Sequence, residues 1–412
     1  MDGENGGLFG NGELLCENCS EGILFHDNFC SSCGEIIDKE SVAIRYYFKA
    51  GYTYDVILAF LGKYHQIEIS MRTLKKKLKS LGLGRKSQHF DANDVKLRVQ
   101  QELDGPGSLR GYRSVWHSLR MDGLSVPRNV VANILREEDP DGCAERSRRR
   151  LKRRAYINQG PNAVWHIDGY DKLKPYGFPI HGCIDGYSRK ILWLFVSRSN
   201  NDPVVIGNAY LNAVKEFGGC PLKVRSDLGT ENGLVAAAQG FFRNDVSAHI
   251  YGSSPHNQRI EGWWSFLRRN RSSWWINLFK DALEQGVFST CNVLEMECLW
   301  FCFSKLIQRD LKRVKDHWNT HYIRKSRHET IAGRPNELYF LPELHGGMSM
   351  ISNVSKDDFQ QAIDNMNFQE VENDYQEYFE YVLRKSLLAL PNNWHQAFEL
   401  YHQLLRFAND EI

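Results

Sequence analysis

Four cysteines in two pairs are the first residues whose spacing points to a chemistry: Cys16 and Cys19, then ten residues, then Cys30 and Cys33. Two C-x-x-C turns present four thiolates able to close a tetrahedral zinc site, and so short a knuckle has almost no core without its metal. Zn2+ on Cys16, Cys19, Cys30 and Cys33 is the expectation, against four unrelated thiols. His26 lies between the pairs and could replace one ligand, although four cysteines already fill the site. A disulfide framework is not expected. The N-terminal stretch MDGENGGLFGNGELL is acidic and glycine-rich where a secretory signal is basic and then apolar, which points to a reducing compartment.

The elements that position such residues follow from length and pattern. A chain of 412 residues has room for two or three domains with separate cores, and 42% hydrophobic with 25% charged residues is ordinary for globular protein. No apolar run approaches the roughly 18 residues of a membrane span. The net charge of +2 hides an uneven distribution. RSRRRLKRR, from Arg146 to Arg154, holds seven basic residues in nine, whereas from Lys356 onward eleven acids face four bases. The basic middle suggests nucleic acid; the acidic tail suggests a lid or a protein contact.

Residues 41–83 read as three helices. Thr53 caps the second and Ser70 the third, in which Leu74, Leu78 and Leu81 recur on one face while Arg72, Lys75, Lys76, Lys77 and Lys79 fill the other. A buried seam under a charged helix suits a helix-turn-helix with Arg72, Lys75 and Lys76 on DNA; a solvated face in a bundle is the competing reading. A second trihelical unit runs from Asp91 to Glu138, its third helix opened by Pro127 and carrying Arg128 and Asn129 toward DNA. PDGCAERSRRRLKRR then reads as a linker that is solvated, rides on phosphates or serves nuclear import.

From Asn162 the pattern changes to strands. AVWHIDG, FPIHGCIDGYS and KILWLFVSR are apolar runs of strand length separated by turn residues, and Asp202-Pro203 opens a helix that stops at Gly218-Gly219. PLKVRSD, a short helix over 232–242, the strand AHIY and a helix from Asn257 complete an order that suits a mixed sheet with helices on its faces.

The segments VWHIDGY, KVRSDLGTEN and SSPHNQRIEGWW resemble the three signature blocks of the DDE integrase and transposase superfamily, whose core is an RNase H-like fold. The close resemblance covers residues 160–275, and the upstream helical units resemble, more loosely, those of bacterial insertion-sequence transposases. It implies that Asp168, Asp227 and Glu261 are catalytic carboxylates and metal ligands, with 58 residues between the first two and a slightly short 33 between the last two. In-line transfer of a phosphodiester is served by two Mg2+ (or Mn2+) ions about 3.5–4 Å apart on hard oxygen ligands. Asp168 would bridge them from a central strand, Asp227 would reach the same point from a neighbouring strand, and Glu261 would come from a helix.

On that helix Ile260, Trp264 and Leu267 form the expected buried seam, with Asn257, Glu261, Ser265 and Arg268 on the adjoining face. Asn257 and Arg259 are expected to position DNA; Arg268, Arg269 and Arg271 are expected to bind phosphates beside the cut. Trp263 packs in the core or stacks on a base. Asp171, Glu231 and His256 neighbour the triad in structural or supporting roles. Asp185, in Asp-Gly-Tyr-Ser-Arg-Lys, marks a hairpin turn and is left out of the site.

Residues 290–322 read as one long helix on which Cys291, Cys298 and Cys302 are buried thiols, and NTHYIRKSRHETIAGRPNELYF reads as an extension packed on the catalytic core. The whole is a multidomain α/β chain: a zinc knuckle (1–39), a helix-turn-helix (40–90), a second one (91–142), a basic linker (143–158), an RNase H-like integrase core with a mixed sheet (159–288), a helical extension (289–345) and an acidic helical C-terminal region (346–412). The function expected is cleavage and strand transfer at DNA ends, by a homo-oligomer on DNA with no membrane contact, in the nucleus of a eukaryote or the cytoplasm of a bacterium. A domesticated DNA-binding protein and a water-using nuclease of the same fold are the alternatives.

Overall fold

The computed structural model describes residues 14–15, 22–23, 29, 32–34, 38–84, 90–108, 110–147, 159–252, 257–325, 331–366 and 373–410. They divide into two units, one of residues 1–104, 110–156 and 320–347, the other of 105–109, 157–319 and 348–412.

In the first unit a two-stranded ladder, β1 (Leu14–Leu15) with β2 (Gly22–Ile23), precedes α1 (Lys39–Lys49), α2 (Tyr54–His65) and α3 (Met71–Ser80). Each of these helices starts on a side chain that accepts otherwise unpaired N–H groups: Asp38 from Glu40 and Ser41, Thr53 from Val56, Ser70 from Thr73. Their apolar faces meet in Ile44, Tyr47, Phe60, Leu74 and Leu78, with the rings of Tyr47 and Phe60 stacked 4.6 Å apart. A second trio, α4 (Ala92–Leu103), α5 (Tyr112–Met121) and α6 (Arg128–Glu138), closes over Val95, Val99, Val115, Leu119, Val131 and Leu135. Next comes α7 (Pro140–Ser147), on residues expected to begin the linker. Asp139 accepts the N–H of Gly142 at 3.0 Å and Pro140 takes the first helical position, a start signal that the basic composition behind it obscures.

The second unit is built on β3 (Val164–Tyr170), β4 (Ile180–Asp185), β5 (Ile191–Val196), α8 (Pro203–Phe217), β6 (Lys223–Ser226), α9 (Gly233–Arg243), β7 (His249–Tyr251), α10 (Gln258–Leu267), α11 (Ser273–Glu284) and α12 (Val293–Thr320). The sheet order is β5-β4-β3-β6-β7; β3, β4 and β5 pair antiparallel, and β3, β6 and β7 pair parallel. Alternation along the central strand directs its two faces. Trp165 meets Tyr210 and Phe217 of α8, whereas His166, Asp168 and Tyr170 bond to Asn257, Trp264 and Ser272 on the side of α10. The outer strand β5 is covered by α12: Gln308, Lys315 and Asn319 bond to the backbone of Val196, Leu192 and Ile191. An edge that would otherwise offer open ladder groups is thereby closed. Cys298 and Cys302 are buried on α12 as expected, but Cys291 precedes the helix and is exposed.

After α12 the chain corrects a further expectation. Residues 320–347, including α13 (Pro335–Phe340), fold with the first unit instead of extending the catalytic core. Arg334 donates to the carbonyls of Gly51 at 2.6 Å and Thr320 at 3.0 Å, Lys63 pairs with Glu343 at 2.8 Å, and Phe340 packs on the rings of Phe60 and Tyr64. The rest, α14 (Lys356–Met366), α15 (Asp374–Lys385) and α16 (Trp394–Asp410), returns to the second unit, where Phe379, Val382, Tyr401 and Leu404 join the core under α12. No helix among the described residues is long and apolar enough to cross a membrane.

Candidate active site

The register of β3 against β6 brings two acids side by side. Val164, Trp165 and His166 stand opposite Lys223, Val224 and Arg225 in parallel pairing, so Asp168 and Asp227, each two residues beyond the last pair, are in step on neighbouring strands. Asp227 lies just past the end of β6, where the chain turns into the loop Asp227-Leu228-Gly229. Two N–H donors, the backbone of Gly229 at 3.3 Å and the Asn232 amide at 3.1 Å, both bond to its Oδ1. Asn232 also bonds Glu231 Oε1 at 3.0 Å and so ties the neighbouring carboxylate to the same loop.

The third acid enters on α10. Ile260, Trp263, Trp264 and Leu267 bury one face of this helix, and Glu261 is left half-buried with no hydrogen bond to its carboxylate among the described residues. The Trp264 indole N–H donates to Asp168 Oδ2 at 2.8 Å, locking the helix of the third acid onto the strand of the first. Space for that indole comes from Gly182, the residue of β4 paired with Asp168: a Cβ there would stand 2.9 Å from Trp264 Cη2. A second tie lies two turns earlier. Asn257 is buried at the start of α10, where its Oδ1 faces His166 Nδ1 at 2.8 Å and its amide donates to the carbonyl of Ile167 at 2.9 Å.

These acids repel one another. Burial foremost, then the charges of Glu261 and Asp227, push the Asp168 carboxyl up to about 7, against the pull of the Trp264 N–H. Burial and Asp227 raise Glu261 as well. Carboxylates are hard-oxygen donors of the kind that a divalent cation of the magnesium type takes. Among the described residues no group of three histidine, cysteine, aspartate or glutamate side chains is drawn together as a ready metal site.

The remaining candidates separate by burial. Asp185 is fully buried and accepts from the backbone of Asn162, Tyr187 and Ser188 and from the Ser188 hydroxyl, which fixes the hairpin turn. Asp171 accepts from Asn200 at 2.7 Å. Trp263 is core, at 2% exposure. Between α10 and α11 the helix widens into a π turn over Arg268–Ser272. Arg268 and Arg269 lie exposed on it, but Arg271 is turned inward onto Asp310 at 3.3 Å, so it is a structural cation and not the phosphate ligand expected. Arg259 is half-buried. In the first unit Arg72, Lys75, Lys76, Arg128 and Asn129 are all exposed, and Arg128 lies 4.2 Å from the centre of the Trp116 ring. Of the zinc candidates, Cys33 is exposed, and Cys16, Cys19 and Cys30 lie outside the described residues, as does His256.

Trp264 and Gly182 are the site residues that sequence reasoning passed over. Their signals were present: a glycine in the middle of an apolar strand marks a close approach, and a buried indole needs an acceptor for its N–H.

A mixed five-stranded sheet flanked by helices, with acids in step on its two central parallel strands, defines an α/β core of the RNase H type. Residues 155–352 match the family model of the integrase core domain, which places that stretch in the DDE integrase and transposase superfamily. This family is one of polynucleotidyl transferases that act on DNA and work with divalent metal ions. No curated protein matches the chain.

Proposed function

We propose that the protein is a DNA integrase or transposase that cleaves phosphodiester bonds at DNA ends and joins those ends to target DNA. The observation that carries this is the register that sets Asp168 and Asp227 in step on neighbouring strands, with Glu261 on a helix bonded to the strand of Asp168. Asp168, Asp227 and Glu261 would hold Mg2+ or Mn2+, which when bound stabilises charge on the attacking and departing oxygens. In cleavage a water oxygen bonds to phosphorus as the bond to the 3′ oxygen breaks, leaving a 3′-hydroxyl. In joining, that hydroxyl oxygen bonds to a target phosphorus as the target's own 3′ oxygen departs, so one phosphodiester replaces another.

The chain's own groups orient this exchange. Trp264 fixes one oxygen of Asp168, and Gly229 with Asn232 fixes one oxygen of Asp227. Arg268 and Arg269, exposed two turns beyond Glu261, bind the flanking phosphates. Asn257, committed to His166 and Ile167, acts on the DNA only through the placement of α10. The helices of the first unit read DNA ends through Arg72, Lys75, Lys76, Arg128 and Asn129. The spacing of Cys16, Cys19, Cys30 and Cys33 supports Zn2+ as a further ligand of the chain, and processing two ends calls for at least a dimer on DNA.

Asp168→Asn tests the reading. It should abolish end cleavage and joining of labelled oligonucleotides while DNA affinity in a gel shift is retained. Joining that survives the substitution would show that Asp168 does not carry the chemistry and would overturn this reading.

A further inference from the structure

We infer that the first unit carries a track for single-stranded DNA, a groove that runs from α3 to the start of α6. Two adjoining depressions form it, of about 420 Å³ and about 290 Å³, and they share Leu83 and Gly84 as a common wall. The larger one is lined by Lys49, Trp116, Arg120 and Arg128 together with the turn Gly123–Pro127; the smaller one by Tyr54, Lys75 and Lys79. Among the described residues the two linings hold five cations and no aspartate or glutamate. A surface of one sign over that length concentrates a polyanion.

Each depression also holds an aromatic ring with a cation over it. Arg128 and Arg120 lie 4.2 Å and 5.5 Å from the centre of the Trp116 ring, and Lys75 lies 5.7 Å from that of Tyr54. The indole is fixed by its own N–H, which donates to the carbonyl of Val126 at 2.7 Å. A guanidinium stacked on an aromatic face can still point its N–H edge at an oxyanion, the arrangement by which Arg128 would bind a phosphate in bidentate fashion. The depressions are the size of single nucleotides and far too small for a duplex. Cationic walls with interleaved rings are what a backbone with unpaired bases needs, since charge meets the phosphates and rings meet the bases. The turn over 123–127 admits the strand closely because Gly123 holds a positive φ of 90° with open space where a side chain would stand.

The inference rests on the proposed function only for the choice of DNA as the polymer, and binding measurements test it apart from catalysis. Full-length Asp168→Asn protein, which cuts nothing, is titrated into a labelled oligothymidine and into a hairpin duplex of equal length, with fluorescence anisotropy as the readout. The single strand should bind more tightly. With Lys49, Lys75, Lys79 and Arg128 on phosphates, log K should fall against log salt concentration with a slope of about −2.8, at about 0.7 per phosphate on single strands. Lys79→Gln and Arg128→Gln, both at exposed positions, should each weaken the single strand about 3- to 10-fold and flatten the slope by about 0.7. Lys280→Gln, an exposed change on α11 of the other unit, should alter neither value. Preference for the duplex, or single-strand affinity unmoved by both groove substitutions, overturns the inference. Loss of joining in Asp168→Asn with intact oligothymidine binding leaves it standing.

Discussion

Two aspartates on the same pair of strands have opposite surroundings. Asp185 ends β4 opposite Trp165, and Asp168 lies three residues further along β3 opposite Gly182. Burial pushes both carboxyls up. Around Asp185 the chain supplies the answer: four donors from Asn162, Tyr187 and Ser188 converge on it. Around Asp168 it supplies the Trp264 indole and the backbone of Gly169, and then sets Glu261 and Asp227 against it. A buried acid that the fold satisfies is architecture. A buried acid that the fold sets against like charges is the place where the proposed cation would act.

The contrast can be broken most directly by deletion. Asp185→Ala strands three backbone N–H groups and a hydroxyl in a closed interior, at about 1–3 kcal/mol per unsatisfied group, so loss of soluble protein or a fall in Tm of 10 °C or more is expected. Asp168→Asn removes repulsion instead, and its metal-free Tm should equal or exceed that of the parent; moreover, millimolar Mg2+ should raise Tm in the parent alone. Equal destabilisation by the two changes would show that both acids are architecture.

A smaller effect is expected where the indole meets the strand. Gly182→Ala places a methyl 2.9 Å from Trp264 Cη2, which should displace the ring, cost about 1–3 kcal/mol of stability and slow joining at least tenfold. Trp264→Phe keeps the ring and removes the donor. It should spare Tm more than Gly182→Ala does, yet raise the Mg2+ concentration needed for half-maximal joining; a purely packing role for Trp264 predicts no such change.

The smallest effect extends the comparison to a base. His181 is wholly buried, its Nδ1 accepting from the Trp193 N–H at 3.0 Å, and burial pushes its pKa down to about 3. It therefore stays neutral in the folded protein while the unfolded chain takes up a proton near pH 6.5. Its contribution is intact above pH 6.5 and declines as pH falls toward 3, with about 2 kcal/mol gone at pH 5. Tm measured between pH 7 and pH 5 should fall less steeply in His181→Gln than in the parent.

Much of this was legible in the residues. The caps at Thr53, Ser70 and Asp202, the order of strands and helices, and the turn role of Asp185 all follow from local signals, and the structure has them where expected. What local signals do not carry is partnership across the fold. Nothing near Arg271 announces Asp310, and nothing near Arg334 announces Gly51, so one arginine looked like a phosphate ligand and one segment like an extension of the core. Asn257 looked available for DNA because its partners, on β3, are about ninety residues earlier. The start of α7 was hidden by the arginines that follow it, although Asp139-Pro140 is a helix-opening pair.

The pairing of β3 with β6 has an evolutionary reading. Asp168 and Asp227 are neighbours through ladder register, not through the 58 residues between them. Insertions in the turn after β4 or in the segment between β5 and α8 would leave the pair where it is, and such lengths are free to drift among relatives. A single residue deleted within Lys223–Ser226 would send Asp227 to the opposite side of the sheet. Distant kin of this chain should therefore differ widely in the first spacing while keeping the short run from the strand to its acid unchanged.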